Sequence, residues 1–141
     1  MSKTLNQIIS QIQGFGTSHP QLKTVLFGEF SEKLDSNNIE YPAMFYDLTG
    51  GNILEKQISY NITIFILDRH LVELDGLEVL SDTNLIMQDI IAKLRNNTNS
   101  YEVGATIPLN YVRDYDPDYL AGVQADITLT TDSLNNRCQI P

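Results

Sequence analysis

The residues best placed to do chemistry lie between Arg113 and Leu129, in "RDYDPDYLAGVQADITL". Asp114, Asp116 and Asp118 have the spacing of the first, third and fifth ligands of a calcium loop, where alternate carboxylates converge on one cation. Such a loop also needs glycine at its sixth position and a bidentate glutamate at its twelfth. Those positions hold Tyr119 and Ala125. Pro117 confines the residue before it to extended backbone. These departures favour a solvated turn whose acidic tip can touch a partner, with calcium binding as the alternative.

The other chemical residue types are scattered. His19 and His70 lack partners at metal-binding spacing, and no G-x-S-x-G nucleophile elbow occurs. Cys138 is the only cysteine, so neither an intrachain disulfide nor a cysteine zinc site can form. In "NNRCQIP" it has no histidine nearby and reads as a small buried hydrophobe. Gly50 and Gly51 precede a strand pattern, not a helix, which argues against a phosphate cradle. Tyr41, Tyr46, Tyr111, Tyr115 and Tyr119 have acidic neighbours, so protein contact or core-edge packing is expected of them, not base stacking. The expectation is a protein without catalytic residues, cofactor or metal.

Charge narrows the partners. The chain has 18 acidic and 9 basic residues, a net charge of −9. Gripping nucleic acid needs clustered Lys and Arg to displace counterions, and an anionic membrane asks the same. A negative particle instead lets DNA slide past. Hydrophobic content of 42% and charged content of 19% are those of a globular protein. A length of 141 residues fits one domain, 1–141, burying roughly 70% of its unfolded surface. The N-terminus lacks the apolar run of a signal peptide, and no segment approaches the roughly 18 apolar residues of a membrane span. A chain made and kept in a cytoplasm, or in a particle assembled there, is expected. The sequons at Asn61 and Asn96 should then stay unmodified.

Periodicity supplies the framework. Leu5, Ile8, Ile9 and Ile12 form one helical stripe, with Ser2 or Thr4 to cap it and Gly14 and Gly16 to end it. After His19-Pro20, Val25–Phe27 suggests a short strand and Glu29–Leu34 one or two helical turns. Ser36-Asn37-Asn38 marks a loop. Ile39–Leu48 reads as a strand, with Pro42 at an edge or at its start. Thr49-Gly50-Gly51-Asn52 is the strongest turn signal and predicts a hairpin with the strand of Ile58, Tyr60, Ile62, Ile64 and Ile66. A long acidic connection follows, Asp68–Asp82. Asp82 is placed to cap a helix bearing Ile86, Met87, Ile90, Ile91 and Leu94, ended by Asn96, Asn97 and Asn99. Tyr101–Tyr115 is strand-like and should pair with a last strand in which Ala121, Val123, Ala125, Ile127 and Leu129 alternate with smaller or polar residues. The sum is an α+β, two-layer domain: a mainly antiparallel or mixed β-sheet of about four strands packed against two helices.

The order of these segments carries a resemblance over nearly the whole length. An N-terminal helix leads to "HPQLKTVLFGEF" and "IEYPAMFYDL". A Tyr-Asn-Ile-Thr-Ile strand ending at Asp68 precedes the helix "DTNLIMQDIIAKL", a closing "AG" opens an alternating strand, and "CQIP" ends the chain. The plan resembles small proteins of tailed bacteriophages, particularly the crAss-like group infecting gut Bacteroidetes, and is similar to the tail-terminator and tail-completion family. The resemblance implies a structural virion protein of the neck or tail, assembled in the bacterial cytoplasm. Subunits would close into a homo-oligomeric ring, hexameric or larger, at the head–tail junction, against tail-tube and portal or connector proteins. It implies no catalytic residue. Such a ring needs a heterologous interface whose rotation closes. The residues expected to supply it are Leu71, Val72, Leu74 and Leu77 of the acidic connection, with Asp114, Asp116, Asp118 and Tyr119 of the loop. The alternative is a small cytosolic protein-binding or regulatory module of a phage or its host; a hydrolase would depend on the three aspartates.

Overall fold

The computed structural model describes residues 4–28, 39–69, 77–96, 101–115 and 120–132, which form two helices and six strands. Helix α1, Leu5–Thr17, starts at a capping box: Thr4 Oγ1 accepts from the Gln7 N–H at 3.3 Å, and the Thr4 N–H donates to Gln7 Oε1 at 2.9 Å. It runs through Gly14 and Gly16 instead of ending there. A Cβ on Gly16 would stand 2.8 Å from Val25 Cγ1 and 3.1 Å from Met44 Sδ. That glycine lets the helix lie close on the sheet, so it is a packing residue and not a stop signal.

The strands are β1 (Thr24–Phe27), β2 (Ala43–Ile53), β3 (Gln57–Arg69), β4 (Glu102–Val103), β5 (Leu109–Tyr115) and β6 (Leu120–Asp132). Their order is β1-β2-β3-β6-β4, with β5 also paired to β6, so β4 and β5 share one border of the sheet in succession. The β1–β2 pairing is parallel and the others are antiparallel. The sheet is therefore mixed, in an α+β fold of the expected class, but with six strands where about four were expected. Two causes account for the excess. The short strand β1 joins the sheet at its border, and the Tyr101–Tyr115 run splits at 104–108, where Pro108 has no N–H to donate. Across that break Gly104 N–H still reaches Thr128 O and Asp126 N–H reaches Pro108 O.

Two further boundaries differ from the sequence pattern. Thr49-Gly50-Gly51-Asn52 is not the hairpin turn; it lies inside β2, where the register slips between Leu48 and Gly50. The turn is at Leu54-Glu55-Lys56, closed by Leu54 N–H to Gln57 O at 2.8 Å. A Cβ on Gly51 would meet Ser59 O at 2.5 Å, so this glycine serves close strand approach at a bulge. Helix α2, Leu77–Leu94, begins ahead of Asp82, which sits exposed within it rather than capping it. "LEVL" supplies good helix formers, and Glu78 suits the positive end of the helix dipole.

Both helices cover one face of the sheet. Ile62, Ile64 and Ile66 of β3 face Ile127, Ala125 and Val123 of β6 in register and pack under Ile8 and Ile12 of α1 and Ile86, Met87, Ile90 and Leu94 of α2. All are at most 2% exposed, and burying each large apolar side chain contributes about 1.5–3 kcal/mol. The opposite face has a smaller apolar cluster, Ala43, Phe45, Leu67 and Leu120, at one end.

Candidate functional site

Of the residues expected to form an interface, Leu77 is the first residue of α2 and is 65% exposed. Asp114 lies on the backbone of β5, just before the connection to β6. Leu71, Val72, Leu74, Asp116, Asp118 and Tyr119 lie outside the described residues. The β5–β6 hairpin that the aspartate loop joins is formed, with Tyr115 paired to Leu120. Among the described residues, no group of three or more His, Cys, Asp and Glu could hold a metal ion.

The geometry reveals one polar pair that no local spacing announced. His19 is 6% exposed, and its Nε2 lies 2.9 Å from Asp89 Oδ2, on a side chain 62% exposed. The Gln21 N–H donates to His19 Nδ1 at 3.2 Å, so in the neutral ring Nε2 holds the proton and donates it to Asp89. Beside them, Lys93 Nζ donates to Ser18 Oγ at 3.3 Å. Both contacts tie the end of α1 to α2. With Nδ1 engaged by backbone and Nε2 by Asp89, the imidazole acts as a fastener between helices. The partners are 70 residues apart, which is why neither looked paired in the sequence.

A second buried link joins α1 to the sheet. Tyr46 donates its hydroxyl to Gln13 Oε1 at 2.5 Å, and Gln13 Nε2 donates to Val25 O at 3.1 Å. The Phe27 ring meets Tyr46 edge-on, with centroids 5.3 Å apart. Burial pushes the Tyr46 phenol up to about 12. The buried Tyr101 phenol is pushed up to about 12 for the same reason, and its hydroxyl has no hydrogen-bond partner among the described residues. At the end of β3, burial raises the Asp68 carboxyl and the charge of Asp82 adds to the shift. Its bond from the Arg69 N–H and the charges of Lys23 and Arg69 oppose it.

Two concave regions stand out among the described residues. On the face away from the helices, Thr63 donates to Asp126 Oδ1 at 3.0 Å, Thr128 donates to Asn61 Oδ1 at 3.1 Å, and Gln124 donates to Asp126 Oδ1 at 3.3 Å. This polar ladder borders a shallow depression beside Thr106 and Pro108. On the helix side, a groove of about 630 Å³ separates α2 from residues 105–109. Ile91, Ala92, Ile107 and Leu109 line it, and Arg95 stands at one end. Arg95 Nη2 donates to Gly104 O at 3.1 Å and Ala105 O at 3.0 Å, holding that wall against the helix. Farther along, Tyr111 donates to Asn84 Oδ1 at 3.2 Å. The groove is mostly apolar, with Gln88 and Thr106 also in its lining and Arg95 at one end, which suits a protein side chain better than a polar metabolite. Its walls come from segments whose periodicity was legible, but their separation arises only from the break at 104–108.

No helix among the described residues is long and apolar enough to cross a membrane. No protein-family model matches the chain, and no curated protein is significantly similar to it.

Proposed function

We propose that this chain is a non-enzymatic structural protein of a tailed-phage virion, forming a homo-oligomeric ring at the head–tail junction as a tail-terminator, tail-completion or neck-connector protein. The reading rests on the resemblance of the segment order to that family, and a mixed sheet bearing both helices on one face is compatible with it. Other features are consistent with it. Large apolar side chains remain exposed at the periphery, Ile53 at 83%, Leu77 at 65%, Leu85 at 55% and Tyr111 at 51%, as a subunit with neighbours would need. The net charge of −9 suits the wall of a channel through which DNA passes without adhering. Portal or connector and tail-tube proteins are the neighbours this reading implies.

The test is direct. Electron microscopy of the purified chain should show rings, and mass spectrometry of purified virions should detect it. A chain that stays monomeric and is missing from virions refutes the reading. A monomer or dimer that captures one specific host protein would instead establish the alternative, a small regulatory module.

A further inference from the structure

The β2–β3 hairpin carries the most exposed large apolar residue of the described chain, Ile53 at 83%, and next to it along the chain Leu54 at 49%. The five last residues of β2 are all exposed, so this end of the hairpin projects past the core. Exposed apolar tips of this kind ordinarily mark a contact. The groove between α2 and residues 105–109 is the complementary feature: apolar walls with a cationic end. The tip reads Ile53-Leu54-Glu55, two branched apolar side chains followed by a carboxylate. We propose that the groove receives the hairpin tip of a second copy of this chain. Ile53 and Leu54 seat against Ile91, Ala92, Ile107 and Leu109, and Glu55 meets the Arg95 guanidinium.

A molecule cannot fill its own groove. The ladder is intact to the Ile53–Ile58 pair, and the Leu54–Gln57 hydrogen bond closes the turn. Three strand spacings, about 14 Å, separate β2 from β5 across β3 and β6. The tip therefore engages another molecule. Tip and groove are different surfaces, so the contact is heterologous and repeats until rotation closes a ring or a filament runs on. Arg95 fits the role because its planar fork, already fixed by two carbonyls on Nη2, presents its remaining donors in a set direction.

This inference deepens the ring reading and rests on it. Sedimentation velocity on the full chain tests both, with circular dichroism confirming that each variant is folded. The wild type should sediment as an assembly. The tip variant I53D/L54D and the groove variant A92R should each fall to monomer. Mixed together they should form a pair and stop there, because one offers only a groove and the other only a tip. E55R should shift the assembly toward monomer, and the charge-conserving E55D should preserve it. An assembling wild type whose tip and groove variants assemble equally well overturns this contact and leaves the ring reading standing. A wild type that is monomeric at every concentration overturns this contact, and overturns the ring reading too if the chain is also missing from virions. Should I53D/L54D not fold, A92R and E55R decide the matter alone.

Discussion

Gly14 and Gly16 lie two residues apart in α1, and replacing each with alanine should move stability in opposite directions. Nothing lies within 4 Å of a Cβ added at Gly14. There the substitution only removes the entropic penalty of a helical glycine and stabilises by about 0.5–1 kcal/mol. At Gly16 the same methyl meets Val25 Cγ1 at 2.8 Å, Val25 Cγ2 at 3.0 Å and Met44 Sδ at 3.1 Å. Val25 is β-branched and cannot swing aside without changing rotamer. Overpacking of this kind costs about 1–3 kcal/mol, and the propensity gain offsets part of it. The net is a loss of about 1–2 kcal/mol. The two variants should then differ by about 2 kcal/mol, or roughly 6–8 °C in Tm for a chain of this size. Thermal melts followed by circular dichroism at one pH read the difference. If G16A melts at or above the wild type, α1 does not lie on the sheet as described, and the account of Gly16 as a packing residue fails.

Gly122 is more demanding: a Cβ there would stand 1.9 Å from Ile66 O in the central β3–β6 ladder, so G122A should cost about 3 kcal/mol or more, while G50A, with its nearest atom at 3.7 Å, should change stability by no more than ~0.5 kcal/mol. Urea titration of the pair checks this. Y101F removes a buried hydroxyl that has no partner among the described residues and should be neutral or stabilising by up to ~1 kcal/mol, whereas Y46F breaks the bond to Gln13 and should cost about 1 kcal/mol. The two phenols also set an alkaline limit. Their folded values, about 12, exceed the unfolded value near 10, so their contribution is complete below pH 10 and is lost as pH rises from there toward 12. Denaturant midpoints across that range should fall less steeply for Y101F than for the wild type; parallel curves would contradict the burial of Tyr101. D89N keeps an acceptor for His19 Nε2 and should be nearly silent, while H19A should cost about 1–3 kcal/mol by leaving the Gln21 N–H without its acceptor.

The parts of this fold that were legible in the sequence are those governed by local periodicity. The alternation of Ile58–Ile66 and Ala121–Leu129 announced the two central strands, and the stripes of Ile8–Ile12 and Ile86–Leu94 announced the helical faces over them. Misread features were those in which glycine serves a tertiary purpose. Gly16, Gly50 and Gly51 look like stop and turn signals along the chain, yet Gly16 and Gly51 answer to Val25 and to Ser59 O, which only the fold brings near. The sheet order, the parallel β1 and the His19–Asp89 pair were likewise invisible, because each depends on contacts between distant segments. As for the site, Leu77 was expected as an interface residue of the 68–82 connection and stands exposed at the start of α2, but the groove beside α2 and the exposed hairpin tip were not foreseen. Ile53 sits directly after the misassigned turn, so its projection from the hairpin end could not be foreseen.

Salt provides a last discriminating prediction, since the proposed assembly brings together copies that each carry a net charge of −9. Copies of one acidic protein repel each other over about 10 Å at 0.1 M salt, and added salt shortens that reach. The contact inferred above rests mainly on Ile53 and Leu54 entering an apolar groove, with a single exposed Glu55–Arg95 pair worth at most ~1 kcal/mol. Screening therefore removes more repulsion than attraction, and excluded salts such as sulfate also strengthen apolar burial. Assembly should tighten as sodium chloride rises, and tighten further when sulfate replaces chloride. Sedimentation across a salt series gives the answer. Dissociation at high salt would mean that charge pairs hold the copies together, and the apolar tip would then lose its role as the anchor.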